Sequence, residues 1–331
     1  MRGFVAMAAG WLCSVSLAMM IAAIMVRSSV SDLRKANQVA STSAASRPDR
    51  NYFPDATLVT HDGRSVNVFD DLIKDKVVLI NFIFTSCQAS CPLETARLRR
   101  VHEALASRMG KDIFFYSISI DPKTDTPEVL HAYRERFKLG PGWTFLTGSK
   151  ETIDNLQKKL GLFLDEVDSK KPLDHSLNLI VGNQKTGQWI KRSHLENPQV
   201  LATVLQQLHQ RQPQALALKA YDHAPVSVKV VSKGEQLFYS RCVDCHTIGH
   251  GDSIGPDLHE VSKRRDPSWL RRWLKEPDRM LDEQDPIASM LFARYNKIAM
   301  PNLKLSNVDI DALLEFMSSE SQNVSKGEDK L

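Results

Sequence analysis

The chain has 331 residues, enough for about two domains beyond any targeting segment. Its 42% hydrophobic and 25% charged residues are ordinary for a globular protein. A formal net charge of +4 over this length is too weak to argue for nucleic-acid binding.

Gly3 to Val26 carries no charge over 24 residues. As a helix it would be about 36 Å long, enough to cross a bilayer core. Arg2 precedes the run and Arg27, Arg34 and Lys35 follow it, so flanking charge does not choose an orientation. The run exceeds the roughly 7–15 residues of a signal-peptide core and ends without a clean A-x-A site, so an uncut anchor over 1–27 is expected. Cys13 lies inside it and reads as a passive membrane cysteine. Residues 28–50, rich in Ser and Ala, read as a flexible tether.

Alternating strand and helix patterns then predict an α/β sheet over 51–211. Val77 to Phe84 is a near-continuous apolar run, as for a strand buried on both faces. Pro92 opens a helix reaching Ala106. Asp112 to Ile120 is a second apolar strand, and Thr126-Pro127 caps the next helix. A short strand follows at 143–146, then a helix over 150–160, a hairpin turned between Gly182 and Gly187, and a closing helix from Pro198 to His209. A second linker is expected over 212–232, with Pro213 and Pro225. Residues 233–320 show helical patterns at 233–241, 267–275 and 308–318, separated by long loops. This stretch has 12 Lys and Arg against 15 Asp and Glu, an acidic segment in a basic chain. A core this small needs an added apolar centre. Residues 321–331 are polar and expected to be a disordered tail.

Four of the five cysteines form two pairs of different kinds. Cys242-Val243-Asp244-Cys245-His246 reads C-x-x-C-H, the attachment site of a c-type haem: two thiols for the vinyl groups and an adjacent His for iron. Zinc binding or a disulfide are the blander uses of such a motif. Haem attachment takes place outside the cytoplasm, which fixes the orientation of the anchor and fits a redox-active cysteine pair. The other pair, Cys87 and Cys91, is spaced by four. In the first turn of a helix both sulfurs share a face, close enough for a disulfide, with thiol pKa values lowered by the helix end. Two thiolates and an imidazole would suit copper. A structural disulfide or buried thiols fit the spacing equally. His61, His102, His131, His175, His194 and His209 are all available, and spacing alone selects none.

Phe84-Thr85-Ser86-Cys87-Gln88-Ala89-Ser90-Cys91-Pro92 resembles the C-x-x-x-C-P site of the Sco/SenC family. So do Ser117 to Pro122 with Thr124 to Leu130, then Trp143 to Gly148, and Asp174-His175-Ser176, in the family's order over roughly 52–210. The resemblance implies a thioredoxin-like fold, copper held by Cys87, Cys91 and His175, and assistance in assembling the dinuclear copper centre of cytochrome oxidase. Some members look more like thiol-disulfide reductases. Gln88 departs from the family, which often has Pro there. Asp121-Pro122 is expected to shape the loop beside the site.

Over 233–320 the chain is similar to a class I cytochrome c. Ala299-Met300-Pro301-Asn302-Leu303 looks like the axial-Met loop, Gly255-Pro256-Asp257-Leu258 like the segment whose proline carbonyl orients the proximal His, and 267–274 like a helix of these small cytochromes. The resemblance implies covalent haem on Cys242 and Cys245 and iron between His246 and Met300. Met280, Met290, His250 and His259 are the alternatives for the sixth ligand. Lys263-Arg264-Arg265 could face a haem propionate or a partner, or be a solvated charge run.

The expected protein is thus an α/β thioredoxin-like domain followed by a small all-α cytochrome c domain behind an N-terminal transmembrane helix. It would sit on a bacterial inner membrane with both domains in the periplasm. It would carry copper and covalent haem c, with the oxidase copper subunit and a redox protein as partners and no nucleic acid. The rival expectation is an enzyme, a thiol:disulfide oxidoreductase using Cys87 and Cys91 with the cytochrome as electron conduit.

Overall fold

Val77–Ile83, all seven residues buried, is an inner strand of a seven-stranded sheet. The computed structural model describes residues 53, 56–87, 90–162, 178–210 and 231–328. The strands are β1 (Thr57–Thr60), β2 (Ser65–Asn67), β3 (Val77–Ile83), β4 (Ile113–Ser119), β5 (Trp143–Thr147), β6 (Asn178–Asn183) and β7 (Gln188–Ser193). Their order is β2-β1-β5-β4-β3-β6-β7. β3, β4 and β5 run parallel, with Val77 opposite Ile113 and Phe115 opposite Trp143, and antiparallel pairs close both sides.

Strand alternation divides the apolar residues between two cores. Leu79, Ile83, Phe115, Phe145 and Val181 face one; Val78, Ile80, Phe82, Ile118 and Ile180 face the other. Helices α1 (Ser90–Ala104), α2 (Pro127–Arg136) and α4 (Pro198–Gln210) supply the first core, and α3 (Lys150–Lys159) the second. Side-chain caps start two of them, the first as expected and the second without an expectation attached. The Thr126 hydroxyl accepts from the Val129 N–H and the Ser149 hydroxyl from the Thr152 N–H. Helix α1 begins at Ser90, two residues before Pro92, so Cys91 stands within its first turn. The strand pair β1–β2 and the π-helical turn Val68–Ile73 had no expectation attached; Asn67 caps that turn through the N–H groups of Phe69 and Asp70.

The second domain is more helical than its pattern foretold. Its elements are α5 (Lys233–Arg241), α6 (Val261–Arg264), α7 (Pro267–Lys275), α8 (Pro277–Asp282), α9 (Pro286–Arg294) and α10 (Asn307–Glu328). The first and last cross at Gly234, where a Cβ would run into the Ala312 carbonyl. Phe238, Leu274, Ile310, Leu313 and Met317 form the core beneath. The expected disordered tail is corrected. Helix α10 continues to Glu328 because Ser321 is buried, accepting from the Glu260 N–H at 2.9 Å and donating to the Met317 carbonyl. Val324 lies close enough to Gly249 to exclude any side chain there.

The chain separates into Met1–Arg47 and a unit from Pro48 to Leu331. The expected anchor, Cys13, the whole tether, Gln88, His175 and most of the 212–232 linker lie outside the described residues. Among the described residues no helix is long and apolar enough to cross a membrane.

Candidate functional sites

The loop after β3 and the first turn of α1 bring Cys87 and Cys91 together. Both are thiols, 4% and 0% exposed, and the Cys91 N–H donates to the Cys87 sulfur at 3.4 Å. The lowered thiol pKa expected from the helix end is not what the surroundings produce. The Cys91 thiol is pushed up, first by its hydrogen bond to Cys87 and then by burial, while the backbone at Phe84 acts the other way. Two neighbouring sulfurs without solvent hold a proton more tightly than the helix end releases it.

Two further residues shape this pocket without having been singled out. Asp125, fully buried, accepts from the Thr85 N–H at 3.1 Å and from the hydroxyls of Thr85 and Ser119, both at 2.5 Å. It thereby fixes the loop that leads to Cys87. The Asp121 N–H donates to the same Ser119 hydroxyl at 3.0 Å. Glu94, one turn beyond Cys91, is buried with Oε1 accepting from Asn81 Nδ2 at 2.8 Å and Oε2 left without a partner. Burial raises its pKa to about 8, opposed by the Asn81 hydrogen bond and reinforced by Cys87. Behind it run Asn81, Ser117 and Trp143, each bonded to the next. The available signal was Asn81, a lone amide inside the otherwise apolar run Val77–Phe84.

The third expected copper ligand, His175, lies outside the described residues. The other described histidines are engaged elsewhere. His102 Nε2 donates to the Pro141 carbonyl at 2.8 Å, His61 stacks on His131, and His209 lies 3.9 Å from Asp112. Among the described residues no cluster of three or more His, Cys, Asp or Glu could hold a metal ion.

In the second domain, Cys242, Cys245, His246, Met300 and the paired indoles of Trp269 and Trp273 line one largely apolar cavity of about 1330 Å³, its open mouth included. His246 Nδ1 donates to the Pro256 carbonyl at 2.9 Å, so its Nε2 keeps the lone pair. Burial lowers the pKa of this imidazole, which also favours the neutral form. Gly255 presses against the ring: a Cβ there would stand 2.5 Å from His246 Cε1. Asp257 holds the loop by accepting from the N–H groups of Gly249, Gly251 and His259. Burial pushes both Cys242 and Cys245 thiols up to about 12. A flat apolar macrocycle fits this donor set and lining.

The cavity sorts the ligand candidates. Met300 lines it from the loop before Pro301; Met280 is buried in packing and Met290 is exposed, and neither lines it, nor do His250 and His259. Met317, which was not considered, also lines it, from within the core packing of α10. The basic run divides: Arg264 and Arg265 are on the cavity wall, whereas Lys263 pairs with Glu260 in solvent.

A thioredoxin-like domain with a buried C-x-x-x-C pair is followed by a helical domain with a C-x-x-C-H cavity. The chain belongs to the SCO1/SenC family, which matches residues 44–210, and residues 231–321 match the cytochrome c family. A SCO2-like protein of Rickettsia felis is 33% identical over 150 residues, covering 43% of this chain and 69% of that protein. Among solved structures, a SCO1/SenC family lipoprotein from Bacillus anthracis aligns with 26% identity, 47% of this chain, 94% of that chain and a TM-score of 0.42. The copper-bound ScoI of Arabidopsis thaliana aligns with 24% identity over 47% of this chain and 96% of its own, TM-score 0.40.

Proposed function

We propose that this protein holds copper at Cys87, Cys91 and His175 and delivers it to the dinuclear copper site of cytochrome oxidase. The observation that carries the reading is the paired, buried placement of Cys87 and Cys91 at the start of α1 in a chain of this family. Two soft sulfurs favour cuprous copper, and a third ligand on a separate segment lets cargo be released without unfolding the helix.

The second centre would hold haem c, joined to Cys242 and Cys245 and bound by His246 and Met300. Bound haem supplies one-electron exchange with a redox protein. Pro256 and Gly255 hold the His246 ring in place, and Trp269, Trp273 and Leu270 keep water from the cavity. An imidazole and a thioether both supplied by the protein would favour a high potential and electron transfer over oxygen binding. The protein is placed on a bacterial inner membrane by the 1–27 segment, both domains facing the periplasm.

The deciding experiment is anaerobic Cu(I) titration of the dithiol protein. One tightly held copper is expected, with affinity reduced about tenfold or more in His175→Ala. Unchanged affinity and spectrum in that variant would remove His175 from the site. A second reading is favoured by the hydrogen bond between the two cysteines: thiol:disulfide oxidoreductase chemistry. In that case Cys87 and Cys91 give two electrons and two protons to a substrate disulfide, forming their own, and His175→Ala still turns over.

A further inference from the structure

Helix α1 does two things at once. Its first turn carries Cys91, and the next residue, Pro92, is buried and lines the same cavity as His246 and Met300. About 9 Å further along, Arg97 and Arg100 lie on one face, three residues apart. Both reach Asp244, which stands between the two cysteines of the C-x-x-C-H motif. Arg97 Nε donates to Asp244 Oδ2 at 2.8 Å and Arg100 Nη1 donates to Oδ1 at 3.0 Å. Arg97 Nη2 also donates to the Ser240 carbonyl at 2.6 Å. The Arg97 and Asp244 side chains are 7% and 1% exposed.

The pair is therefore a desolvated ionic contact between domains, with both carboxylate oxygens used. Apolar contact surrounds it. Ile254 belongs to the same buried core cluster as Cys87 and Cys91, with Cys245 and Ile298 packed against it. Asn296 Nδ2 adds a hydrogen bond to the Arg136 carbonyl. A carboxylate with this little exposure is costly to bury without its partners, and they come from the other domain.

We infer that Arg97, Arg100 and Asp244 form an interdomain clamp that docks the cytochrome domain on α1 in one fixed arrangement, with Pro92 forming part of the wall of the haem site. The inference rests on the haem assignment above for the identity of the cavity's occupant, and on the contacts alone for the docking. The clamp sets orientation, since a buried ion pair specifies geometry more than it adds stability. The thioredoxin-like domain thereby completes the haem environment, and α1 is shared by both centres.

The test uses the full haem-loaded chain with a protease site inserted between residues 211 and 230. After cleavage, the two halves of the otherwise unaltered protein should co-elute in gel filtration at micromolar concentration. Removing either side of the clamp, by Arg97→Ala with Arg100→Ala or by Asp244→Ala, should weaken association at least about a hundredfold. Combining both sets should cost little more than one alone. The haem absorption of the uncut Arg97→Ala chain should also shift, although Arg97 lies in the other domain. Separation of the unaltered halves overturns the docking whatever the variants do, and undiminished association of the variants overturns the clamp. Copper titration of the same variants separates the two ideas. Clamped halves that bind no copper remove the delivery function and leave the clamp; separated halves that bind copper do the reverse.

Discussion

Glu94 shows how one residue sets a pH dependence. Its carboxyl is buried, and burial raises its pKa from 4.5 to about 8. Above pH 4.5 the unfolded chain releases this proton while the folded chain keeps it. The stability of the neutral acid is fully present below 4.5 and is lost as pH rises towards 8. Relative to Glu94→Gln, the unloaded protein should lose up to about 1.4 kcal/mol of stability per pH unit across that window. Denaturant titrations of both proteins from pH 5 to 8 check this; parallel pH profiles would show that Glu94 ionises freely. At the haem site, Met300→Ala should abolish the sulfur-to-iron charge-transfer band of the oxidised protein. Its survival would move the ligand to Met317, the other methionine lining the cavity. Gly255→Ala should disturb the His246 imidazole, because the new Cβ meets its ring. The cysteines, His246 and Met300 were legible because their spacing or flanking residues carry chemistry. Asp125 was not: its role depends on a hydrogen bond to Thr85, 40 residues earlier.

Among the elements, the strands buried on both faces were the plainest. Predominantly apolar runs at 77–84 and 112–120 have few uses other than inner strands. β1 and β2 were missed because they are short and half exposed. Helix α9 had a readable start, Asp285 followed by Pro286, with the carboxylate accepting from the N–H groups of Ile287 and Ala288. Its mixed periodicity concealed it. The last turns of α10 were polar enough to pass for a tail, and contacts with Gly249 and Glu260, distant in sequence, help hold them helical. The α5–α10 crossing is sensitive at a single point. Gly234→Ala forces a Cβ against the Ala312 carbonyl and should destabilise the second domain by about 1–3 kcal/mol, read from thermal unfolding followed at the haem band. An unchanged midpoint would mean the helices cross with more room than the structure gives them.

At the scale of the whole molecule, the second domain has a small core around a large apolar cavity. A chain produced without haem should therefore lose the tertiary signature of 233–328 while the sheet domain keeps its own, a difference that hydrogen exchange resolves domain by domain. Equal protection with and without haem would assign the core to protein packing alone. The sequence by itself determined two domains, their order and the two cysteine centres, because hydrophobic periodicity and ligand spacing are local properties. The tertiary structure alone decided that α1 serves both domains. Arg97 and Asp244 are 147 residues apart. Each reads singly as an ordinary surface charge, and only desolvation on packing turns them into a specific contact.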